Sequence, residues 1–143
     1  MLKNISPLIS PELLKTLMEM GHGDTIVLGD GNFPAAALGQ RLVRCDGHPI
    51  TPLLDAVLDL FPLDVYTDTP VTLMETVPGE TYKPVIWEDY RKTFEKHIPD
   101  FKDFHYTDRF DFYEQAKNAY AVIATGEKAL YANILLTKGV VSD

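Results

Sequence analysis

The segment Gly21-His22-Gly23-Asp24-Thr25-Ile26-Val27-Leu28-Gly29-Asp30 decides how the chain begins to fold. Its central run, residues 25–28, is apolar and β-branched with glycines and aspartates on both sides, which predicts a buried strand. Upstream, Ser10 as an N-cap and Pro11 in the first turn predict a helix that ends before Gly21. His22 therefore precedes the strand and Asp30 follows it. A strand of four to eight residues is roughly 13–26 Å long, so the two side chains either meet through the chain's return path or belong to two sites.

Strands and helices alternate through the rest of the chain. Further strands are predicted at residues 41–45, 63–66, 71–76, 105–108, 120–125 and 132–136, and helices from residue 51, at 84–97 and at 109–119. This alternation predicts the α/β fold class: a layered α/β/α domain with a mostly buried mixed sheet. No repeat or compositional break marks a linker, so residues 1–143 are expected to form one domain.

The charge and cysteine content exclude several kinds of partner. With 21 acidic and 13 basic residues the net charge is −8, which argues against binding nucleic acid or an anionic membrane surface. Cys45 is the one cysteine, so no disulfide can form within the chain. No stretch of the sequence has the length and apolar character of a signal peptide core or a membrane span. We therefore expect a cytoplasmic protein that acts on a neutral or cationic small molecule.

Two residues near the first strand are candidates for chemistry. His22 is the kind of side chain that exchanges protons near neutral pH, and the glycines on both sides allow a ligand to approach the backbone. The alternative is a loop histidine that binds a nearby carbonyl. Asp30 lies at a strand-to-loop junction, where α/β proteins bind ligands. Its alternative is a turn or capping aspartate.

Four polar residues in the last third of the chain form a second group of candidates. Arg109 and Tyr113 are four residues apart and are predicted on one helix face. Tyr131 and Asn133 are two residues apart at the start of a strand, which predicts that both point to the same side. A hydroxyl and an amide on one face suit recognition of a polyhydroxyl ligand, although such pairs are also common surface features.

Several catalytic classes lack their motifs. The sequence has no phosphate-binding Gly-x-x-x-x-Gly-Lys-Ser/Thr loop, no dinucleotide fingerprint and no Gly-x-Ser-x-Gly elbow. The four histidines lack metal-ligand spacing, and one cysteine cannot form a thiolate zinc site. Acid–base chemistry without a metal or a cofactor is what remains.

Six segments, in this order and at these separations, resemble the ribose pyranase and fucose mutarotase family over nearly the whole chain. They are Ile5-Ser6-Pro7-Leu8-Ile9-Ser10-Pro11-Glu12-Leu13-Leu14, Met20-Gly21-His22-Gly23-Asp24, Asp30 with Asn32-Phe33-Pro34, Arg44-Cys45-Asp46-Gly47, Arg109-Phe110-Asp111-Phe112-Tyr113-Glu114, and the stretch from Thr125-Gly126-Glu127 through Tyr131-Ala132-Asn133 to Leu136. The Arg-Phe-x-Phe-Tyr segment marks the fucose branch. The resemblance implies a ribose-pyranase-like fold and an isomerase that interconverts the ring forms of a free reducing monosaccharide, with L-fucose as the substrate of this branch.

The same resemblance implies roles for eight residues. His22 corresponds to the proton donor, and sugar-binding positions correspond to Asp30, Asp64, Met74, Arg109, Tyr113, Tyr131 and Asn133. It also implies a homo-oligomer, often a decameric ring, with sites near the subunit boundaries and no metal or cofactor. Such a boundary site could unite His22 with Asp30.

Two departures from the fucose branch leave the substrate open. The branch usually has Tyr-Gly-Asn where this chain has Tyr131-Ala132-Asn133, as ribose pyranases do, and Gly31 follows Asp30. The alternatives are therefore a D-ribose pyranase, which converts six-membered to five-membered rings, and a monosaccharide-binding protein without catalysis. The retained His22 argues against the second alternative, since binding alone needs no titrating group.

Overall fold

A six-stranded sheet runs through the computed structural model, which describes residues 1–143. The strands are β1 (Thr25–Gly29), β2 (Leu42–Cys45), β3 (Val71–Met74), β4 (His105–Thr107), β5 (Ala121–Thr125) and β6 (Ile134–Thr137). The helices are α1 (Pro11–Glu19), α2 (Ala35–Leu38), α3 (Ile50–Leu58), α4 (Ile86–His97) and α5 (Arg109–Asn118). The two kinds of element alternate along most of the chain, as the sequence predicts.

The strand order across the sheet is β2-β5-β1-β6-β3-β4. β1 and β2 pair parallel to β5, and β3 pairs parallel to β4, whereas β6 is antiparallel to both β1 and β3. The five strands β1 to β5 therefore share one direction. We call the end of the sheet where they finish its carboxyl end, and the opposite end its amino end. β6 begins at the carboxyl end and finishes at the amino end.

Helices cover both faces of this mixed sheet. Ile26 and Leu28 of β1 pack with apolar residues of α1, α3 and α4 in a larger core, whereas Val27 packs with residues of α2 and α5 in a smaller one. Successive residues of β1 thus face opposite layers, as the two-residue period of a strand requires. All three are fully buried, and each such side chain contributes about 1.5–3 kcal/mol of hydrophobic stabilisation. The α/β/α prediction is confirmed.

Capping chemistry sets where three helices begin. The side chains of Ser10 and Asp108 accept first-turn amide hydrogen bonds at 3.1 and 2.9 Å, so α1 and α5 start where the sequence predicts. α3 has no cap from its own neighbourhood. Instead Glu127, in the loop between β5 and β6, accepts the Ile50 N–H at 3.1 Å. A carboxylate at a helix N-terminus also interacts favourably with the helix dipole.

The predicted strand at residues 63–66 is wrong. Only Leu63 pairs, in an isolated bridge with Lys138. The physical reason is the side chain of Asp64, whose Oδ1 accepts the Tyr66 N–H at 3.1 Å and turns the chain away from an extended course. The short helix α2 was not predicted, because a single turn is too short for a helical period to be recognised.

No helix has the length and apolar character needed to cross a membrane. No group of three or more His, Cys, Asp or Glu side chains converges to hold a metal ion.

Candidate functional site

The eight predicted site residues fall into two groups at opposite ends of the sheet. His22 precedes β1 and Asp64 precedes β3, so both lie at the amino end. The other six lie at the carboxyl end, on the strand ends, on the first turns of α5 or before β6: Asp30, Met74, Arg109, Tyr113, Tyr131 and Asn133. Five residues of β1 alone span about 16 Å. One chain therefore does not bring His22 and Asp30 together.

His22 lies on a tight turn that is held at several points. Gly23 has φ +85°, a left-handed conformation that glycine adopts without steric cost. Asp24 accepts the Gly21 N–H through Oδ2 at 2.7 Å, and the Gly23 N–H donates to the carbonyl of Lys138 at 2.8 Å. The turn is thus fixed to the end of β6, and the imidazole projects from a constrained backbone.

The partner of His22 is Asp64. His22 Nε2 lies 3.1 Å from Asp64 Oδ1. The Asp64 N–H donates to the carbonyl of Thr137 at 3.0 Å, which ties this aspartate to the end of β6 as well. Gly139 allows the backbone of residues 63–64 to pack closely against the chain after β6, because a Cβ at position 139 would lie 2.7 Å from the carbonyl oxygen of Leu63 and 2.8 Å from Asp64 Cα. The family resemblance implies that Asp64 contacts the sugar. In the structure, its Oδ1 lies within hydrogen-bond distance of the His22 imidazole.

This pair has the chemistry of a proton carrier. A carboxylate only accepts hydrogen bonds, so Asp64 holds the proton of neutral His22 on Nε2 and leaves Nδ1 free to take another. Once His22 is protonated, the carboxylate stabilises the imidazolium. The His22 side chain is 46% exposed and that of Asp64 only 7%. The exposed ring of Tyr66 lies 5.5 Å from the imidazole. A ligand can therefore reach the imidazole while the carboxylate stays enclosed.

At the carboxyl end, Asp30 and Asn133 form a buried polar pair. The Asp30 N–H donates to Asn133 Oδ1 at 2.8 Å, and Asp30 Oδ1 accepts the Asn32 N–H at 2.9 Å. Burial raises the pKa of the Asp30 carboxyl above its usual value, and backbone hydrogen bonds, including that of Asn32, oppose this. The negative charge of Glu127 raises that pKa further. A buried carboxyl of this kind, at the end of a parallel strand, is typical of a functional position.

The prediction that Tyr131 and Asn133 share one side of a strand is wrong. β6 begins at Ile134, and Tyr131 has φ +57°, so the alternation of a strand does not apply. The Tyr131 hydroxyl lies 3.5 Å from the Val77 N–H, whereas Asn133 is bound to Asp30. The two side chains have separate partners at the same end of the sheet.

Arg109 and Tyr113 do share a helix face, as predicted. The guanidinium carbon of Arg109 lies 5.3 Å from the centre of the Tyr113 ring, and this arginine forms no ion pair. The Tyr113 ring packs edge-on against Phe33 with centres 5.6 Å apart. Phe33 follows Asp30 closely, so it links α5 to the buried pair. Met74 lies in the same smaller core as Phe33.

A groove of about 330 Å³ opens beside Asp30. Its volume falls within the range of small-molecule sites, about 300–1,000 Å³. The lining combines acidic and basic side chains with an apolar wall, and includes Asp30, Gly31, Phe33, Arg44 and Asp46. The groove lies at the carboxyl ends of β1, β2 and β5, so the parallel strands supply its polar side.

Two residues of α4 were missed as contributors to this end of the sheet. Trp87 Nε1 donates to the carbonyl of Tyr131 at 2.8 Å, and the Tyr90 hydroxyl donates to the carbonyl of Ala132 at 2.6 Å. The helical spacing of Trp87, Tyr90 and Phe94 predicts a core face. The polar atoms of Trp87 and Tyr90 could have indicated hydrogen bonds to a neighbouring segment, because a tryptophan or tyrosine on a core face usually needs a hydrogen-bond partner.

Together, the fold and the two groups define an α/β protein with a histidine–carboxylate pair at one end of its sheet and a small groove at the other, which Asp30 alone of the six predicted residues at that end lines. The chain belongs to the RbsD / FucU transport protein family, whose family model matches residues 3–141. This membership confirms the family resemblance that the sequence motifs predict.

Three similar proteins show how far the sequence and the fold are shared. The chain is 47% identical over 140 residues to the L-fucose mutarotase of Histophilus somni (strain 2336), a match that covers 98% of this chain and 97% of that protein. A structure of the fucose mutarotase of Streptococcus pneumoniae in complex with L-fucose has 55% identity and a TM-score of 0.95, covering 99% and 100% of the two chains. The structure of Bacillus subtilis RbsD complexed with D-ribose has 23% identity and a TM-score of 0.74, covering 99% and 100%, and shares the fold.

Proposed function

We propose that this chain is an L-fucose mutarotase, an isomerase that interconverts the α and β anomers of the free sugar. The observation that carries the proposal is its 55% identity, over 99% of the chain, to a fucose mutarotase whose structure contains L-fucose. The protein whose structure contains D-ribose is much more distant, at 23% identity. Residues 1–143 act in this proposal as one mutarotase-like domain.

Ala132 does not favour the ribose alternative. Its side chain is fully buried and packs in the larger core, whereas the groove borders the smaller one. The difference between glycine and alanine at this position is therefore a matter of core packing. The motif departure that left the substrate open gives no reason to prefer D-ribose.

The reaction needs only proton transfer and rotation. The anomeric hydroxyl loses its proton and the ring oxygen gains one, so that the bond between the anomeric carbon and the ring oxygen breaks and a carbonyl forms. Rotation about the bond between the first two carbons presents the other face of the carbonyl, and closure reverses the proton transfers. No net proton or electron is exchanged. A positioned acid–base group contributes on the order of 10²–10⁴-fold to such a step.

His22 is the proton carrier in this mechanism. Its Nδ1 faces away from the Asp64 bond and exchanges protons with the sugar, while Asp64 holds the ring and stabilises the imidazolium. This assignment makes Asp64 a positioning residue, although its role as a further hydroxyl acceptor stays a prediction.

The carboxyl-end group holds the sugar so that only its anomeric centre moves. Asp30 and Asn133 supply acceptors and an amide donor, and Arg109 supplies donors from a guanidinium without a carboxylate partner. Tyr113 and Tyr131 supply aromatic faces and hydroxyls. Met74 contributes apolar surface at the end of β3.

The two groups must come from different copies of the chain, which makes the active form a homo-oligomer. Exposed apolar residues flank both groups: Val65 and Tyr66 beside His22, and Phe110 beside Arg109. Exposed apolar surface of this kind marks contact sites. Contact between opposite ends is head-to-tail, and such contacts close into rings when the rotation permits. A ring, with ten subunits as the family resemblance implies, therefore suits this geometry.

Cys45 supports a cytoplasmic location. It is buried and free, with no disulfide in the chain, and unpaired thiols persist in reducing compartments.

Exchange spectroscopy by NMR tests the proposal on equilibrated L-fucose. Addition of the protein should speed exchange between the α and β anomeric signals, and the variant His22→Ala should lose most of that acceleration while sugar binding persists. The matched control is His105→Ala, since His105 is exposed on β4 and makes no side-chain hydrogen bond. Unchanged exchange with wild-type protein that still binds fucose would support a binding protein instead. Full activity of His22→Ala would refute the role of His22.

A further inference from the structure

Tyr131 has a backbone conformation that few aromatic residues adopt. Its φ of +57° lies in the left-handed region, and only Asn4 among the other non-glycine residues has a positive φ. The Cβ of an ordinary side chain is crowded in this region, so the surrounding structure must hold Tyr131 there. The segment 131–133 precedes β6, and its first two carbonyl groups have no partner in the sheet ladder.

Two side chains of α4 hold this segment. Trp87 and Tyr90 are three residues apart and lie on one face of the helix. The indole N–H of Trp87 donates to the Tyr131 carbonyl at 2.8 Å, and the hydroxyl of Tyr90 donates to the Ala132 carbonyl at 2.6 Å. Tyr90 is fully buried, so its bond is shielded from competing water, whereas the bond of Trp87 is partly buried. Two consecutive carbonyl groups are thus fixed to a rigid helix.

The fixed segment continues directly into the sugar-binding group of the proposed function. Asn133 follows the two bound carbonyl groups, and its amide oxygen accepts the Asp30 N–H at 2.8 Å. The Tyr131 ring stacks on Tyr82 with centres 6.5 Å apart. Hydrogen bonds from α4 therefore determine where Tyr131 and Asn133 present their polar groups at the carboxyl end of the sheet.

We propose that Trp87 and Tyr90 are positioning residues for sugar binding, which act through the backbone of residues 131–133 and do not touch the reacting atoms. The inference rests on the proposed function. Because Trp87 and Tyr90 bond to the backbone of residues 131 and 132, and to neither His22 nor Asp64, loss of either α4 donor weakens sugar binding and leaves the rate at saturation nearly unchanged.

The test uses three variants of α4. Trp87→Phe and Tyr90→Phe remove a donor and keep an aromatic ring, and each should raise the half-saturating concentration of L-fucose about three- to tenfold, as expected for one lost hydrogen bond. Their exchange rate at saturation should stay within about twofold of wild type. Phe94→Leu is the control, since Phe94 is fully buried on the same helix and packs on Phe101 and Phe104. It should lower the melting temperature without changing the half-saturating concentration.

A second measurement needs no substitution. Trp87 is the only tryptophan, so its indole N–H gives one assigned resonance in protein labelled with ¹⁵N-tryptophan. Titration with L-fucose should shift this resonance with the same midpoint as the exchange kinetics.

Failure of the inference differs from failure of the proposed function. Wild-type protein that neither binds fucose nor speeds its exchange overturns both. An active wild-type protein overturns the inference alone if the indole resonance stays fixed at saturating fucose, or if Phe94→Leu raises the half-saturating concentration as much as Trp87→Phe and Tyr90→Phe do.

Discussion

Mixing two inactive variants tests whether one site is shared between copies of the chain. His22→Ala disables the amino end of the sheet and Asp30→Ala disables the carboxyl end, and the five residues of β1 separate the two by about 16 Å. If each site joins the amino end of one copy to the carboxyl end of its neighbour, an equal mixture contains sites in which both contributions are intact. Random assembly makes that fraction one half times one half, about a quarter of wild-type activity.

The assay is L-fucose anomer exchange after the two variants are unfolded together and refolded as mixed oligomers. Each variant refolded alone gives the baseline, and the two variants mixed without unfolding show whether copies exchange spontaneously. A second mixture gives an independent test: wild type is refolded with an equal amount of the double variant His22→Ala/Asp30→Ala. A site shared between copies should again give about a quarter of wild-type activity, whereas a site within one copy should give about a half. No recovery in the first mixture, together with one half in the second, would refute a shared site.

Three further predictions follow from single contacts. Asp64→Asn replaces the carboxylate that orients His22 with a neutral amide, and weakening of this hydrogen bond by about 1 kcal/mol should lower the saturated exchange rate roughly fivefold; an unchanged rate would mean that Asp64 does not act on His22. Asp30→Asn should raise the melting temperature at neutral pH, because a carboxyl whose pKa is raised by burial destabilises the fold when ionised. That advantage should shrink as pH falls through the raised pKa and vanish below the ordinary value of about 3.9, and an advantage independent of pH would contradict it. Ala132→Gly should lower stability by roughly 1–2 kcal/mol through a lost core methyl group and a more flexible backbone, measured by denaturant unfolding, and a changed ratio of fucose to ribose exchange would show that the position selects the sugar after all.

Local chemistry made much of the fold predictable. Capping and turn residues affect the backbone only a few positions away. The pattern of Ser10, Pro11 and the glycines around β1 therefore locates α1 and β1 correctly. The same reasoning failed at residues 63–66, because the side chain of Asp64 offers the backbone a turn that competes with an extended strand. It failed again at Tyr131, whose conformation depends on two donors from α4: Trp87, 44 positions from Tyr131, and Tyr90, 42 positions from Ala132.

The site was predictable as a set of residues and not as an arrangement. Motif resemblance selects His22, Asp30 and Asn133 individually. Their contacts depend on strand register: His22 meets Asp64 from 42 positions away, and Asp30 meets Asn133 from 103 positions away. Such pairings arise because β1, β6 and β3 are neighbours in the sheet, and no local pattern encodes that order. The division of the predicted residues between two ends of the sheet is therefore visible only in the structure.

Side-by-side exchange measurements on L-fucose and D-ribose, with one protein sample at equal sugar concentrations, distinguish a fucose mutarotase from a ribose pyranase. We expect clear acceleration of α/β exchange for L-fucose, and a smaller effect on the exchange between the pyranose and furanose forms of D-ribose. Faster exchange of D-ribose than of L-fucose would contradict this expectation and identify a ribose pyranase, and acceleration of neither sugar would contradict the assignment as an isomerase of these sugars.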